Sequence, residues 1–121
     1  MKIAVSVTEP GLEADVDERF GRCQYFVIVD TDTMNFETVD NSASLASGGA
    51  GVATAQMIAG KGVAAVLTGN CGPNAYQVLS PAGIKVVTGV SGSVKEAVEA
   101  YKAGKYEEAS RSNVPDHFGK G

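Results

Sequence analysis

The sequence has no tryptophan, one histidine, two cysteines, and no aspartate or glutamate anywhere from residue 41 to residue 94. Each shortage removes a class of function. Two cysteines cannot form a disulfide framework, so Cys23 and Cys71 are expected as reduced thiols. With His117 as the only histidine, and far along the chain, there is no Ser-His-Asp set from which to argue nucleophilic hydrolysis. A Mg²⁺-dependent nuclease needs carboxylates projecting from central strands, and the candidate central strands below carry none. No apolar run is long enough to span a membrane. Met1-Lys2 leads into a short apolar stretch that stops at Glu9-Pro10, too brief for a signal peptide, so a cytoplasmic location is expected.

With 44% apolar and 20% charged residues, the 121-residue chain has the composition of one globular domain with a real core. Fifteen glycines in the absence of tryptophan point to tight loops rather than bulky packing. A net charge of -4 argues against nucleic acid as the main partner. Nine of the fourteen acids lie at or before Asp40 and five at or after Glu96, leaving a middle that holds Lys61 and Lys85 and is locally positive. Either this middle faces an anion or its helices are mostly buried.

Residues Lys2 to Val7 alternate and are rich in β-branched side chains, predicting a first strand. Glu9 to Glu18 reads as an acidic loop. Gln24 to Asp30 and Phe36 to Asp40 predict a hairpin across Thr31 to Asn35. Val52, Ala55, Ile58 and Ala59 recur at helical spacing, which predicts a helix over 50–59. A fourth strand over Val63 to Leu67 runs into the Gly-flanked turn Thr68 to Gly72. Pro73 suits the first position of a second helix, which ends near Leu79. Ile84 to Val87 is a fifth strand, and Ser93-Val-Lys-Glu96 is a capping box opening a third helix. A single domain is expected over 1–104. From 105 to 121 no apolar period is visible, so a flexible tail is expected, with His117 in it and no role for that side chain.

A meander followed by crossovers implies an α/β fold with sheet order 3-2-1-4-5 and strand 2 antiparallel to strand 1. Strand directions then bring Arg19 to Cys23, the Ser42 to Gly51 loop, Thr68 to Pro73 and Thr88 to Ser93 to one edge. Ligands in open α/β sheets favour such a crevice. Strand spacing puts Cys23 and Cys71 roughly 10 Å apart, too far for a disulfide. The rim is expected to be rich in donors and cations and empty of carboxylates.

Each candidate there has two readings. Gly48-Gly-Ala-Gly51 either cradles an anion with its N–H groups or only lets a helix pack closely on the sheet. It lacks the Gly-Lys-Ser/Thr of a nucleotide loop, and the acid that a dinucleotide fingerprint requires further on is missing. Cys23 and Cys71 either ligate a soft metal or are small buried hydrophobes. Arg19 and Arg22 either face an anionic ligand or pair with Asp15, Asp17 or Glu18.

Several of these segments together resemble the dinitrogenase iron-molybdenum cofactor biosynthesis family, which includes small stand-alone members and the nitrogenase cofactor carrier and assembly domain. They are Lys2-Ile-Ala-Val, Phe20-Gly-Arg-Cys-Gln-Tyr-Phe, Asn41, Gly62-Val-Ala-Ala-Val-Leu-Thr-Gly69, Cys71-Gly-Pro-Asn-Ala75 and Gly83-Ile-Lys-Val. The resemblance implies a ribonuclease H-like three-layer fold and non-catalytic binding or carriage of an anionic metal-sulfur cluster, either the iron-molybdenum cofactor, a precursor or a related cluster. It also implies cluster-assembly proteins as partners. Where the family often has His before Phe-Gly, this chain has Arg19, which stays protonated and cannot ligate a metal.

The expected contact set is therefore Arg19, Arg22, Cys23, Ser47, Gly48, Gly49, Gly51, Thr68, Gly69, Asn70, Cys71 and Gly72. Cys71 is the first candidate for a direct metal ligand and Cys23 the second. The competing expectation is a protein-interaction or scaffold module with no cluster. An enzyme is not expected, because no general base is evident at this edge.

Overall fold

The structure, a computed structural model, describes residues 1–42 and 50–106. Strands β1 (Lys2–Val7), β2 (Tyr25–Asp30) and β3 (Phe36–Asp40) form the meander. Helix α1 (Ala50–Ala59), strand β4 (Ala65–Leu67), helix α2 (Pro73–Leu79), strand β5 (Lys85–Val87) and helix α3 (Val94–Lys102) follow. The five-stranded sheet has the order β3-β2-β1-β4-β5, with β1–β2 and β2–β3 antiparallel and β1–β4 and β4–β5 parallel. Among the described residues, no helix is long and apolar enough to cross a membrane.

Residues alternate across the sheet and sort into two cores. Ile3, Val5 and Val7 of β1 join Val27, Val29, Ala65, Leu67 and Val87 on one face, against Val94, Ala97 and Val98 of α3. Ala4 joins Phe26, Ile28, Val66 and Val86 on the other, against Ala55 and Ile58 of α1 and Ala75 and Leu79 of α2. Three layers follow, and they explain why β1 and β4 are apolar at successive positions: strands covered on both faces have no solvent side. The predicted capping box opens α3, with Glu96 N–H donating to Ser93 Oγ at 3.2 Å and Ser93 N–H donating to Glu96 Oε1 at 3.1 Å.

Two expectations change. The fourth and fifth strands are shorter than predicted, because only Ile3 to Val5 of β1 pair with Ala65 to Leu67. The segment from Glu9 to Glu18 is more than a surface loop: Ala14 and Val16 are buried with α3, and Val16 N–H donates to Gly92 O at 2.9 Å while Val94 N–H donates to Ala14 O at 2.9 Å. Acidic neighbours masked an alternating Leu12, Ala14, Val16 pattern that was the available signal.

Candidate functional site

The 17–23 segment is tied to the sheet edge at both ends. Asp17 N–H donates to Ser6 O at 2.8 Å, and the Ser6 hydroxyl donates back to Asp17 O at 2.8 Å. Phe20 N–H donates to Asn70 O at 3.1 Å, and Arg19 and Asn70 form a parallel bridge. The Phe20 ring is the anchor. It is buried edge-on against Phe26, with centroids 5.3 Å apart, and leaves Arg19 and Arg22 exposed on either side. Segments 19–23 and 68–72 therefore do share one rim, as the topology requires.

A buried polar network locks the far side of this loop. Asn41, just after β3, donates from Nδ2 to Cys23 O at 2.8 Å, and Thr54 of α1 donates to Asn41 Oδ1 at 3.1 Å. On the near side, Ser6 Oγ and Thr68 Oγ1 are hydrogen-bonded at 2.8 Å. The 68–72 turn is held in place by the loop after β5: Thr68 N–H donates to Val87 O, Gly89 N–H to Gly69 O and Val90 N–H to Thr68 O.

Two glycines at the rim serve close approach of backbones. A Cβ on Gly69 would lie 2.7 Å from Glu18 Cα, and one on Gly21 would lie 3.0 Å from Gly51 Cα. The 17–23 loop thus passes within backbone contact of both the 68–72 turn and the first turn of α1. The backbone N–H groups of Gly21, Arg22 and Gly69 have no acceptor among the described residues. Helix α2, only seven residues long and with no side-chain cap, adds little dipole of its own.

Both thiols lie inside the molecule. Cys23 and Cys71 have no exposed surface and sit in the core beneath α1 and α2, neither in a disulfide. Burial pushes the Cys71 thiol up to about 12 and raises Cys23 further, the nearby Asp17 charge adding to the effect. As folded here, each sulfur is protonated and turned inward, Cys23 Sγ donating to Phe20 O at 3.3 Å. Thiolate ligation of a surface cluster by Cys71 requires the 69–72 turn to open. Among the described residues, no three His, Cys, Asp or Glu side chains are placed to hold a metal ion.

The rim is not free of carboxylates. Asp17 lies beside it, its side chain 10% exposed, and Oδ1 accepts from Arg19 N–H at 2.9 Å and lies 3.5 Å from Arg19 Nε. Glu18 follows it, exposed. Arg19 is thus partly paired, as one of its two readings held, whereas Arg22 has no ion-pair partner among the described residues. Ser47, Gly48, Gly49 and His117 fall outside the described residues. Reading the chain alone overlooked Ser6 and Thr54. A hydroxyl inside an otherwise apolar strand was the signal for Ser6. Grooves of about 370 Å³ at Lys2, Asp30 and Glu37 and about 520 Å³ along α3 lie away from this rim and gather no comparable set of donors.

A small three-layer α/β domain with exposed arginines and glycine-spaced turns at the switch point of its sheet defines the class of molecule. Residues 1–104 match the family described as dinitrogenase iron-molybdenum cofactor, and the chain belongs to it. The apo form of the orange protein from Desulfovibrio gigas is 45% identical, with a TM-score of 0.89 over 93% of this chain and 95% of that one. A Thermotoga protein of the DUF35 family is 36% identical, with a TM-score of 0.76 over 88% of this chain and 91% of its own. An uncharacterised protein of Methanocaldococcus jannaschii is 34% identical over 110 residues, 88% of this chain and 90% of that one.

Proposed function

We propose that this chain binds or carries an anionic metal-sulfur cluster, the iron-molybdenum cofactor, a precursor or a relative of it, without itself catalysing a reaction. The cluster is cargo, received from and passed to cluster-assembly proteins in the cytoplasm. The observation that supports this furthest is the meeting of the Arg19 to Arg22 segment with the Gly69–Asn70 turn, where two exposed guanidinium groups stand beside the Gly21, Arg22 and Gly69 N–H groups, which have no acceptor among the described residues. Sulfide-rich anions accept hydrogen bonds and are drawn to cations, so such a rim suits them without a covalent ligand.

The donor set fits charge and hydrogen bonding better than thiolate ligation, because Arg19 cannot ligate and both sulfurs are buried. Ser47, Gly48, Gly49, Gly51, Thr68 and Gly72 complete the proposed contact set, and Cys71 joins it as a metal ligand only in an opened turn. Anaerobic incubation of the full chain with a synthetic molybdenum-iron-sulfide cluster anion tests the proposal. Visible absorption co-eluting with the protein is expected, and a colourless protein peak with unchanged mobility removes the proposal.

A further inference from the structure

Asp17 is the one nearly buried carboxylate at the rim among the described residues, and cluster binding as proposed above gives it no direct role. Its backbone is held at both polar groups by Ser6, so the side chain starts from a fixed point. From there Oδ1 accepts the Arg19 backbone N–H at 2.9 Å and reaches Arg19 Nε at 3.5 Å. A guanidinium ion-paired on its Nε side, at 3.5 Å, keeps both Nη groups available, and those of Arg19 have no partner among the described residues while its side chain is 65% exposed. Arginine's planar fork makes this orientation meaningful, since fixing one edge fixes the direction of the other.

We infer that Asp17 is a positioning residue: by holding Nε, it presents the outer edge of the Arg19 guanidinium to the anion at the rim. The inference rests on the proposed cluster binding, which supplies the anion. It has a distinctive sign. Removing a negative charge beside an anion site tightens binding if Asp17 acts only through its charge. Removing an orienting group loosens binding, because a long side chain must then be ordered at the moment of association.

The test is a spectrophotometric titration of the full-length chain with a synthetic molybdenum-iron-sulfide cluster anion. Asp17→Asn, which can still accept the Arg19 backbone N–H but loses the charge that pairs with Nε, is expected to bind roughly fivefold more weakly, the range of a single charge-assisted contact at a part-exposed site. In an Arg19→Lys background, where the cation has no Nε to be held, the same substitution is expected to have no effect or to tighten binding. Wild-type binding with Asp17→Asn equal or tighter overturns this inference alone. No binding by wild type overturns the proposed function and this inference with it. Should Asp17→Asn fold poorly, the Arg19 Nε–H resonance of the wild-type chain decides: exchange with water as fast as that of Arg22 overturns the inference, and slower exchange supports it.

Discussion

Glu18 and Gly69 touch through their backbones: a methyl group added to Gly69 would stand 2.7 Å from Glu18 Cα and 2.8 Å from Glu18 O. That contact joins the loop entering β2 to the turn leaving β4, and no side-chain adjustment can relieve it. Gly69→Ala is expected to destabilise the fold by about 2 kcal/mol, the usual cost of forcing atoms into a packed site. Urea unfolding measures it, and an unchanged midpoint would show that the two loops separate easily.

The Asn41 network calls for a second measurement. Asn41→Leu leaves Cys23 O without its 2.8 Å donor, while the Thr54 hydroxyl, losing its acceptor at 3.1 Å, keeps the longer 3.4 Å bond to Gly21 O. One buried group left unsatisfied costs about 1–3 kcal/mol, so a loss of about 2 kcal/mol in unfolding free energy is expected. Amide exchange in 20–24 should accelerate more than in β1.

Both thiols should resist alkylation in the native chain. Cys71 is pushed up to about 12 and Cys23 is raised as well, in each case chiefly by burial, so at pH 8 neither supplies appreciable thiolate. Iodoacetamide followed by mass spectrometry is expected to add no label in native protein and two after denaturation. Rapid labelling of Cys71 alone would reveal an open form of the 69–72 turn.

Cluster uptake should separate cation from thiol. Arg22→Ala is expected to weaken uptake and reduce its salt dependence, since Arg22 is exposed and unpaired among the described residues. Cys71→Ala is expected to lower stability by about 1 kcal/mol through lost packing while leaving uptake largely intact. Loss of colour in Cys71→Ala at unchanged folding would place the sulfur on the metal.

Acid should weaken the start of α3. The Ser93 backbone N–H, then the Ser93 hydroxyl, hold Glu96 below the usual carboxylate range. A folded-state pKa below the unfolded one means the contribution is complete above the unfolded value, about 4.3, and disappears as pH falls through the lower folded value. Glu96→Gln keeps the capping geometry without the titration, so its stability curve should be flatter than wild type below about pH 5.

Local pattern carried much of the architecture. The apolar spacing of 50–59, Pro73 at a helix start and the Ser93 to Glu96 box each specify an element through neighbours a few residues away, and the structure has those helices at α1, α2 and α3. The strand order was legible too, because hairpins must be antiparallel and crossovers right-handed, which together brought residues 19–23 and 68–72 to one edge. The acidic 9–18 segment was harder to read, since its buried Ala14 and Val16 depend on α3 arriving over them.

By itself, then, the chain determined which segments meet, because periodicity and connection rules act at short range and leave few ways to order five strands. Only the tertiary structure decided what those segments present to solvent. It turned Cys23 and Cys71 inward, used Gly21 and Gly69 for backbone contact, and set the Asp17 carboxylate under Arg19. Burial and hydrogen bonding at the rim arise from three loops packing on one another, and the distance between them is not written in any one of them.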